Sequence, residues 1–172
     1  IRDNLPCWSS DVCSSDLCAG TSNVHAGKIF GIPVKGTHAH SWVESFDDEL
    51  ESFQSFAQVF PDNCVLLVDT YDTIQGIRTA IKVAAEMRKN GKTPQGIRID
   101  SGDLAYYSKV AREMLNQAGY PEIKILASSD LDEWIIESLR EQGAKIDIWC
   151  VGTKLITSYQ TPALGEIGRA HV

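Results

Sequence analysis

The chain has 172 residues, 43% of them hydrophobic, with 13 glycines and 6 prolines, the profile of one soluble globular domain rather than a disordered or fibrous protein. A formal net charge of -7 and a pI near 5.0 exclude an electrostatic nucleic-acid binder, which needs a basic stripe to neutralise phosphates, and leave small molecules or other protein chains as partners. No apolar run approaches the roughly 20 residues that span a bilayer, and the N-terminus lacks the basic-then-apolar order of a signal peptide, so no membrane association and a cytoplasmic location are expected. The five cysteines (Cys7, Cys13, Cys18, Cys64, Cys150) form no CxxC pair and no ligand spacing, which suits a reducing compartment and indicates neither zinc nor a disulfide framework.

The two ends read as foreign to the rest. Asp11 to Leu17 (DVCSSDL) can be encoded GAC GTG TGC TCT TCC GAT CTN, and Glu166 to Val172 (EIGRAHV) can be encoded GAG ATC GGA AGA GCA CAC GTC. These are reverse complements over almost their whole length and resemble a sequencing adapter read in from each side. Ile1-Arg2-Asp3 and Trp8-Ser9-Ser10 fit its outer part, leaving Asn4 to Cys7 as a barcode. Residues 1–17 and 166–172 are therefore set aside as adapter-derived, and 18–165 as the native stretch. Cys7, Cys13 and His171 are expected to carry no chemistry and Trp8 to be no core aromatic. Removing Arg2, Asp3, Asp11 and Asp16 at one end, and the neutral pair Glu166 and Arg169 at the other, moves the net charge from -7 to about -5.

Within 18–165, Phe30 to Lys35 (FGIPVK) reads as a strand, and Asp48 to Phe60 as a helix with apolar residues at helical spacing, ended by Pro61. From Asn63 onward, β-rich apolar runs alternate with segments of helical period. The order is strand 64–68, helix 73–89, strand 96–99, helix 104–117, strand 123–127, helix 131–142 and strand 146–151. That is the βαβα signature of a parallel sheet, with Gly91, Gly119 and Gly143 where helix C-caps fall. No repeat of fixed period and no low-complexity linker divides the fragment.

Each strand is followed by polar residues: Asp-Thr-Tyr-Asp-Thr after Val68, Asp-Ser-Gly-Asp after Ile99, Ser-Ser-Asp-Leu-Asp after Ala127 and Gly-Thr-Lys after Val151. All would emerge at the C-terminal end of the sheet, where α/β folds bind ligands. Asp69, Asp72, Asp100 and Asp103 read as an acidic rim for ribose hydroxyls or a phosphate-bound magnesium, or equally as helix caps, as does Asp132. Gly152-Thr153 offers bare N–H groups and a hydroxyl to a phosphate. Arg98, one residue before a strand end, suits a carboxylate clamp or a stacking partner better than a packed layer. Gly36-Thr-His-Ala-His-Ser41 sets two imidazoles two residues apart. With no third ligand at suitable spacing, an acid-base or phosphate-accepting histidine is the better reading than a metal site.

Six segments in order, Ala19-Gly-Thr-Ser-Asn-Val24, Gly36-Thr-His-Ala-His-Ser-Trp42, Leu67-Val-Asp-Thr-Tyr-Asp-Thr73, Gly96-Ile-Arg-Ile-Asp-Ser-Gly-Asp103, Ala127-Ser-Ser-Asp-Leu-Asp132 and Val151-Gly-Thr-Lys-Leu155, followed by Pro162-Ala-Leu-Gly165, resemble the nicotinate phosphoribosyltransferase family. The resemblance implies part of an irregular α/β barrel of the type II phosphoribosyltransferase kind, with parallel strands alternating with helices. It implies an enzyme that joins nicotinate to ribose C1 of phosphoribosyl pyrophosphate, releasing pyrophosphate and giving nicotinate mononucleotide for NAD biosynthesis. ATP is the co-substrate and Mg2+ the cofactor.

By matching position, His40 is transiently phosphorylated by ATP and Asp100 holds ribose hydroxyls. Thr37 and Arg98 contact nicotinate, and Ser129, Asp130, Gly152 and Thr153 belong to phosphate-binding loops; metal ligands stay unassigned. The family works as a homodimer with shared sites, so this fragment alone is expected to be inactive. Lacking strands, it is expected not to close fully and to expose aggregation-prone sheet edges. Cys150 stands where glycine is expected, threatening to crowd the phosphate loop, and Gln160 stands where aspartate is expected. The Gly-Thr-His-Ala-His motif disfavours a quinolinate enzyme, Ser22 disfavours the nicotinamide type, and a non-catalytic phosphate-binding module is the rival of another class.

Overall fold

Runs of β-branched residues and amphipathic segments fold in chain order into β1 (Cys7–Ser9), β2 (Cys18–Thr21), α1 (Val24–Phe30), α2 (His40–Glu44), α3 (Glu49–Val59), β3 (Val65–Leu67), α4 (Thr73–Lys89), β4 (Gly96–Ile99), α5 (Leu104–Gln117), β5 (Lys124–Ala127), α6 (Glu133–Glu141), β6 (Ile148–Trp149) and α7 (Thr153–Ile156). This computed structural model describes residues 7–9 and 18–156. Gln160, the Pro162 to Gly165 motif and the adapter-assigned residues 1–6, 10–17 and 166–172 lie outside them. The strands form one six-stranded sheet in the order β2-β1-β6-β5-β4-β3, with every pair parallel. Strand β1 falls in the segment the codon argument assigns to adapter. Its pairing needs only backbone N–H and C=O groups, which any sequence supplies.

The register sorts the strand residues onto two faces. Leu66, Ile97 and Ile125 align across the sheet, as do Ile99, Ala127 and Trp149. These residues, with Val68, form the core with Phe53, Ile77, Ala80, Val83, Ala84, Ala111 and Leu115 of the helices. The opposite face carries the aligned row Leu67, Arg98, Leu126 and Ile148. Helix α4 lies close against the end of β3: a Cβ at Gly76 would overlap the Val68 carbonyl oxygen, so only glycine fits there.

Four aspartates start four helices. The side chains of Asp48, Asp72, Asp103 and Asp132 accept from the N–H groups of Leu50, Gln75, Tyr106 and Ile135, each cap being worth about 1 kcal/mol. The acidic rim expected from the sequence therefore shrinks: Asp72 and Asp103 are caps, and Asp69 and Asp100 remain.

Residues 30–35 are not a strand. Phe30 ends α1, Gly31 takes the left-handed conformation that closes it (φ 67°), and Pro33 has no N–H to give a ladder. Only Val34 bridges to Thr21, flanked by bonds from Thr21 N to Pro33 O and from Lys35 N to Thr21 O. Four residues later, His38 reaches the other side of the sheet. The Leu67 N–H, facing away from β4 because its neighbour Val68 donates to Arg98 O, donates instead to His38 Nε2 at 3.1 Å. Residues 33–38 thus form a strap touching both outer strands, β2 and β3, and the two edges are less bare than the sequence suggested. Among the described residues, no helix is long and apolar enough to cross a membrane.

Candidate active site

Two residues beyond the Leu67-Arg98-Leu126-Ile148 row, the pleat brings Asp69, Asp100, Ser128 and Cys150 to the same face at the C-terminal strand ends. Arg98 spends three donors there: Nε on Ser128 Oγ (2.7 Å), Nη1 on Thr37 Oγ1 (2.8 Å) and Nη2 on Asp100 Oδ1 (2.8 Å). Ser128 Oγ in turn donates to Asp100 Oδ1, and Thr37 Oγ1 donates to the His38 carbonyl at 3.0 Å. Both hydroxyls therefore accept from Arg98 and donate onward, so each is satisfied within the network.

Asp100 also faces His40. Its Oδ2 lies 3.6 Å from His40 Nε2, beyond hydrogen-bond length but close enough for charge to matter, while Nδ1 of the same ring pairs with Thr70 Oγ1 at 3.1 Å. Burial alone would raise the Asp100 carboxyl; the Arg98 charge, the bonds from Ser128 and Arg98, and the His40 charge outweigh it and hold it below the ordinary aspartate value. Asp69 supports the same corner: its Oδ2 accepts from Asp100 N (2.9 Å) and Ser101 Oγ (2.5 Å). Its Oδ1 is buried with no protein partner, so one carboxylate oxygen is left over.

Thr37, His40, Arg98 and Asp100 are thus brought into one network. Ser129 and Asp130 sit in the loop after β5, and Gly152 sits in the neighbouring loop after β6, leading into Thr153, the first residue of α7. Those loops are joined by Lys154 Nζ donating to Asp132 Oδ2 at 2.8 Å. Ser129 and Asp130 are exposed, and Ser129 holds φ at 102°, a strained conformation for a residue with a side chain, costing on the order of 1–3 kcal/mol. The loop is fixed beneath by buried Leu131, whose N–H returns to Ser129 O at 2.8 Å. The Cys150 thiol lies in the same row as Asp100. Burial pushes it up to about 11, with the Asp100 charge adding and the Arg98 charge opposing, so it stays protonated at neutral pH.

The resemblance assigns Ser129 to a phosphate-binding loop and says nothing of Ser128, which is buried and holds Arg98 and Asp100. Strand parity carried the signal: Arg98, Asp100, Leu126 and Ser128 share a face. Thr70 and His38 were passed over because their partners lie about 30 residues away in sequence.

The model of the nicotinate phosphoribosyltransferase (NAPRTase) family matches residues 13–163. The nicotinate phosphoribosyltransferase of Bacillus subtilis (strain 168) is 55% identical over 150 residues, which is 87% of this chain and 30% of that protein. One from Mycobacterium tuberculosis is 44% identical over 146 residues, 85% of this chain and 31% of that protein. The chain thus spans about 30% of the length of these relatives. Among solved structures, the nicotinate phosphoribosyltransferase of Porphyromonas gingivalis superposes with a TM-score of 0.73 at 21% identity, covering 88% of this chain and 45% of that one; it supports the parallel α/β fold.

Proposed function

Because the chain belongs to the nicotinate phosphoribosyltransferase family, we propose that it carries the nicotinate-facing and ribose-facing part of an enzyme that joins nicotinate to phosphoribosyl pyrophosphate. The products are nicotinate mononucleotide and pyrophosphate, and ATP hydrolysis is coupled to turnover. The observation that carries this reading is the Arg98 network, in which one guanidinium is fixed by Thr37, Ser128 and Asp100 beside His40.

A guanidinium has five N–H donors, and three of the Arg98 donors are bonded within the chain. The remaining two, and the flat face of the group, are what a pyridine carboxylate would meet; either contact orients the ring nitrogen toward ribose C1. Positive charge grows on that carbon as pyrophosphate leaves, and the ionised Asp100, which would also receive the ribose hydroxyls, stabilises it. The loops holding Ser129, Asp130, Gly152 and Thr153 would receive the phosphates through backbone N–H groups and hydroxyls.

His40 would accept the ATP γ-phosphoryl on Nε2, since Nδ1 is taken by Thr70, with the β–γ P–O bond breaking and ADP leaving; the added charge beside Asp100 would change the order of the site until water cleaves the N–P bond and releases phosphate. Asp69, whose Oδ1 has no partner in the chain, and Asp100 would hold magnesium, with substrate phosphates completing its shell. When bound it would neutralise pyrophosphate charge.

We further place the whole enzyme in the cytoplasm as a homodimer with shared sites, and expect this chain by itself to be inactive. The test is to incubate the chain, restored to the length of its relatives, with ATP labelled on the γ-phosphate. Acid-labile label should appear on His40 and vanish in His40→Ala together with ATP-coupled nicotinate turnover. Full coupled turnover in that variant would remove His40 from the mechanism, and no nicotinate-dependent product from the unaltered enzyme would remove the activity itself.

A further inference from the structure

We propose that His38 is the positioning residue of this site: its imidazole latches the 33–38 strap to the open edge of β3 and so sets Thr37 against Arg98 and His40 against Asp100. The inference rests on the reading of those four residues as the nicotinate-handling and ATP-handling groups.

Among the described residues no strand lies beyond β3 to receive the edge N–H of Leu67, and a buried backbone donor must find a partner. His38 Nε2 is that partner at 3.1 Å, which requires the ring to carry its proton on Nδ1, toward the Ala39 carbonyl at 3.5 Å. The residue is 6% exposed, and its ring lies 4.7 Å from Phe56, edge to face, and 5.8 Å from Phe53, both from α3. A side chain so enclosed has little freedom to leave its acceptor position.

Burial also lowers its affinity for a proton, to a pKa of about 4, so the latch stays a neutral acceptor at neutral pH. The residues it fixes are its sequence neighbours. Thr37 precedes it and is tied to its carbonyl, and His40, two residues on, begins α2. Thr37 on the strap and His40 just beyond it approach the sheet across an edge where, among the described residues, no backbone ladder holds them, so the side chain of His38 does the work a ladder would do.

The test compares the chain with its His38→Gln and His38→Leu variants by NMR, following the His ring nitrogens, the Arg98 Nη1–H groups that face Thr37 and amide exchange. Glutamine keeps an acceptor of similar reach; leucine keeps bulk and loses it. In His38→Leu the Leu67 amide should exchange about tenfold faster or more, the order expected for one lost hydrogen bond. The His40 ring and the Arg98 Nη1–H groups should shift toward the signals of unpaired groups, with the Arg98 Nε–H on Ser128 unchanged, while α4 and α5 amides stay protected, and His38→Gln should restore all of these.

Unchanged His40 and Arg98 Nη1–H signals beside a faster Leu67 amide would overturn the proposal. Should His38→Leu fail to fold, the wild-type spectrum decides: His38 protonated on Nε2 rather than Nδ1 overturns the latch. Titration with nicotinate tests the other premise separately, since latch signals as expected with no nicotinate binding would strike the functional reading and leave the positioning role standing.

Discussion

Acid should weaken this fold through His38 in a measurable and separable way. The histidine titrates near 6.5 in an unfolded chain; burial, joined by the nearby Arg98 and His40 charges and only partly opposed by the Ala39 carbonyl, brings it to about 4 in the folded one. Between those values the unfolded chain binds the proton and the native state does not. The stability is therefore full above pH 6.5 and falls as pH drops toward 4. At about 1.4 kcal/mol for each tenfold change, the interval corresponds to roughly 3 kcal/mol, a large share of the 5–15 kcal/mol typical of a domain. Ordinary carboxylates titrate near the lower end of the window, so the informative quantity is a difference. Urea unfolding at pH 7.5 and pH 4.5 should show the wild type losing about 2–3 kcal/mol more than His38→Gln, which has no proton to bind. A difference under about 0.5 kcal/mol would refute both the burial argument and the acceptor role of Nε2.

Arg98→Met keeps length but removes the bonds to Ser128, Thr37 and Asp100 and leaves Asp100, 15% exposed at its side chain, without its counter-charge. Breaking a fully buried pair costs 3–5 kcal/mol; with both side chains here partly solvated, about 2–3 kcal/mol is expected by urea unfolding at pH 7.5, and the Asp100 carboxyl should titrate higher by NMR. A loss under about 1 kcal/mol with unmoved Asp100 titration would contradict the network. Gly76→Ala would gain about 1 kcal/mol in helix propensity, yet the new Cβ overlaps Val68 O at the β3–α4 junction. The net expectation is a loss of about 1–3 kcal/mol, seen as a lower melting temperature, and a melting temperature equal to or above wild type would show that α4 is free to move away.

The residues that could be placed from sequence are those whose order is set locally. Helices 73–89 and 104–117 and the strand 96–99 were placed to the residue, because each combines a clear apolar period with an aspartate cap or a glycine at its boundary. Strand β2 and helices α1 and α2 went unseen: they are short, and β2 exists by virtue of backbone pairing with β1 and Val34 that no local pattern announces. In the site, Arg98 and Asp100 stood out because charge one step from a buried strand end demands a partner. Ser128 against Ser129 is a matter of pleat parity, invisible in composition. Nothing local marks His38 out, because the amide that donates to it lies 29 residues away.

Arg98 also bears on the energetics of whatever the site receives. A free arginine side chain gives up about 1.5–2 kcal/mol of rotamer entropy when it is immobilised on a ligand. Here Thr37, Ser128 and Asp100 have already taken that freedom during folding, so the ligand meets a preorganised surface and does not bear the ordering cost. Affinity at this position is then governed by how well the incoming group matches a stationary plane, and discrimination among similar rings becomes a question of shape and charge placement rather than of how far the protein bends to accommodate them.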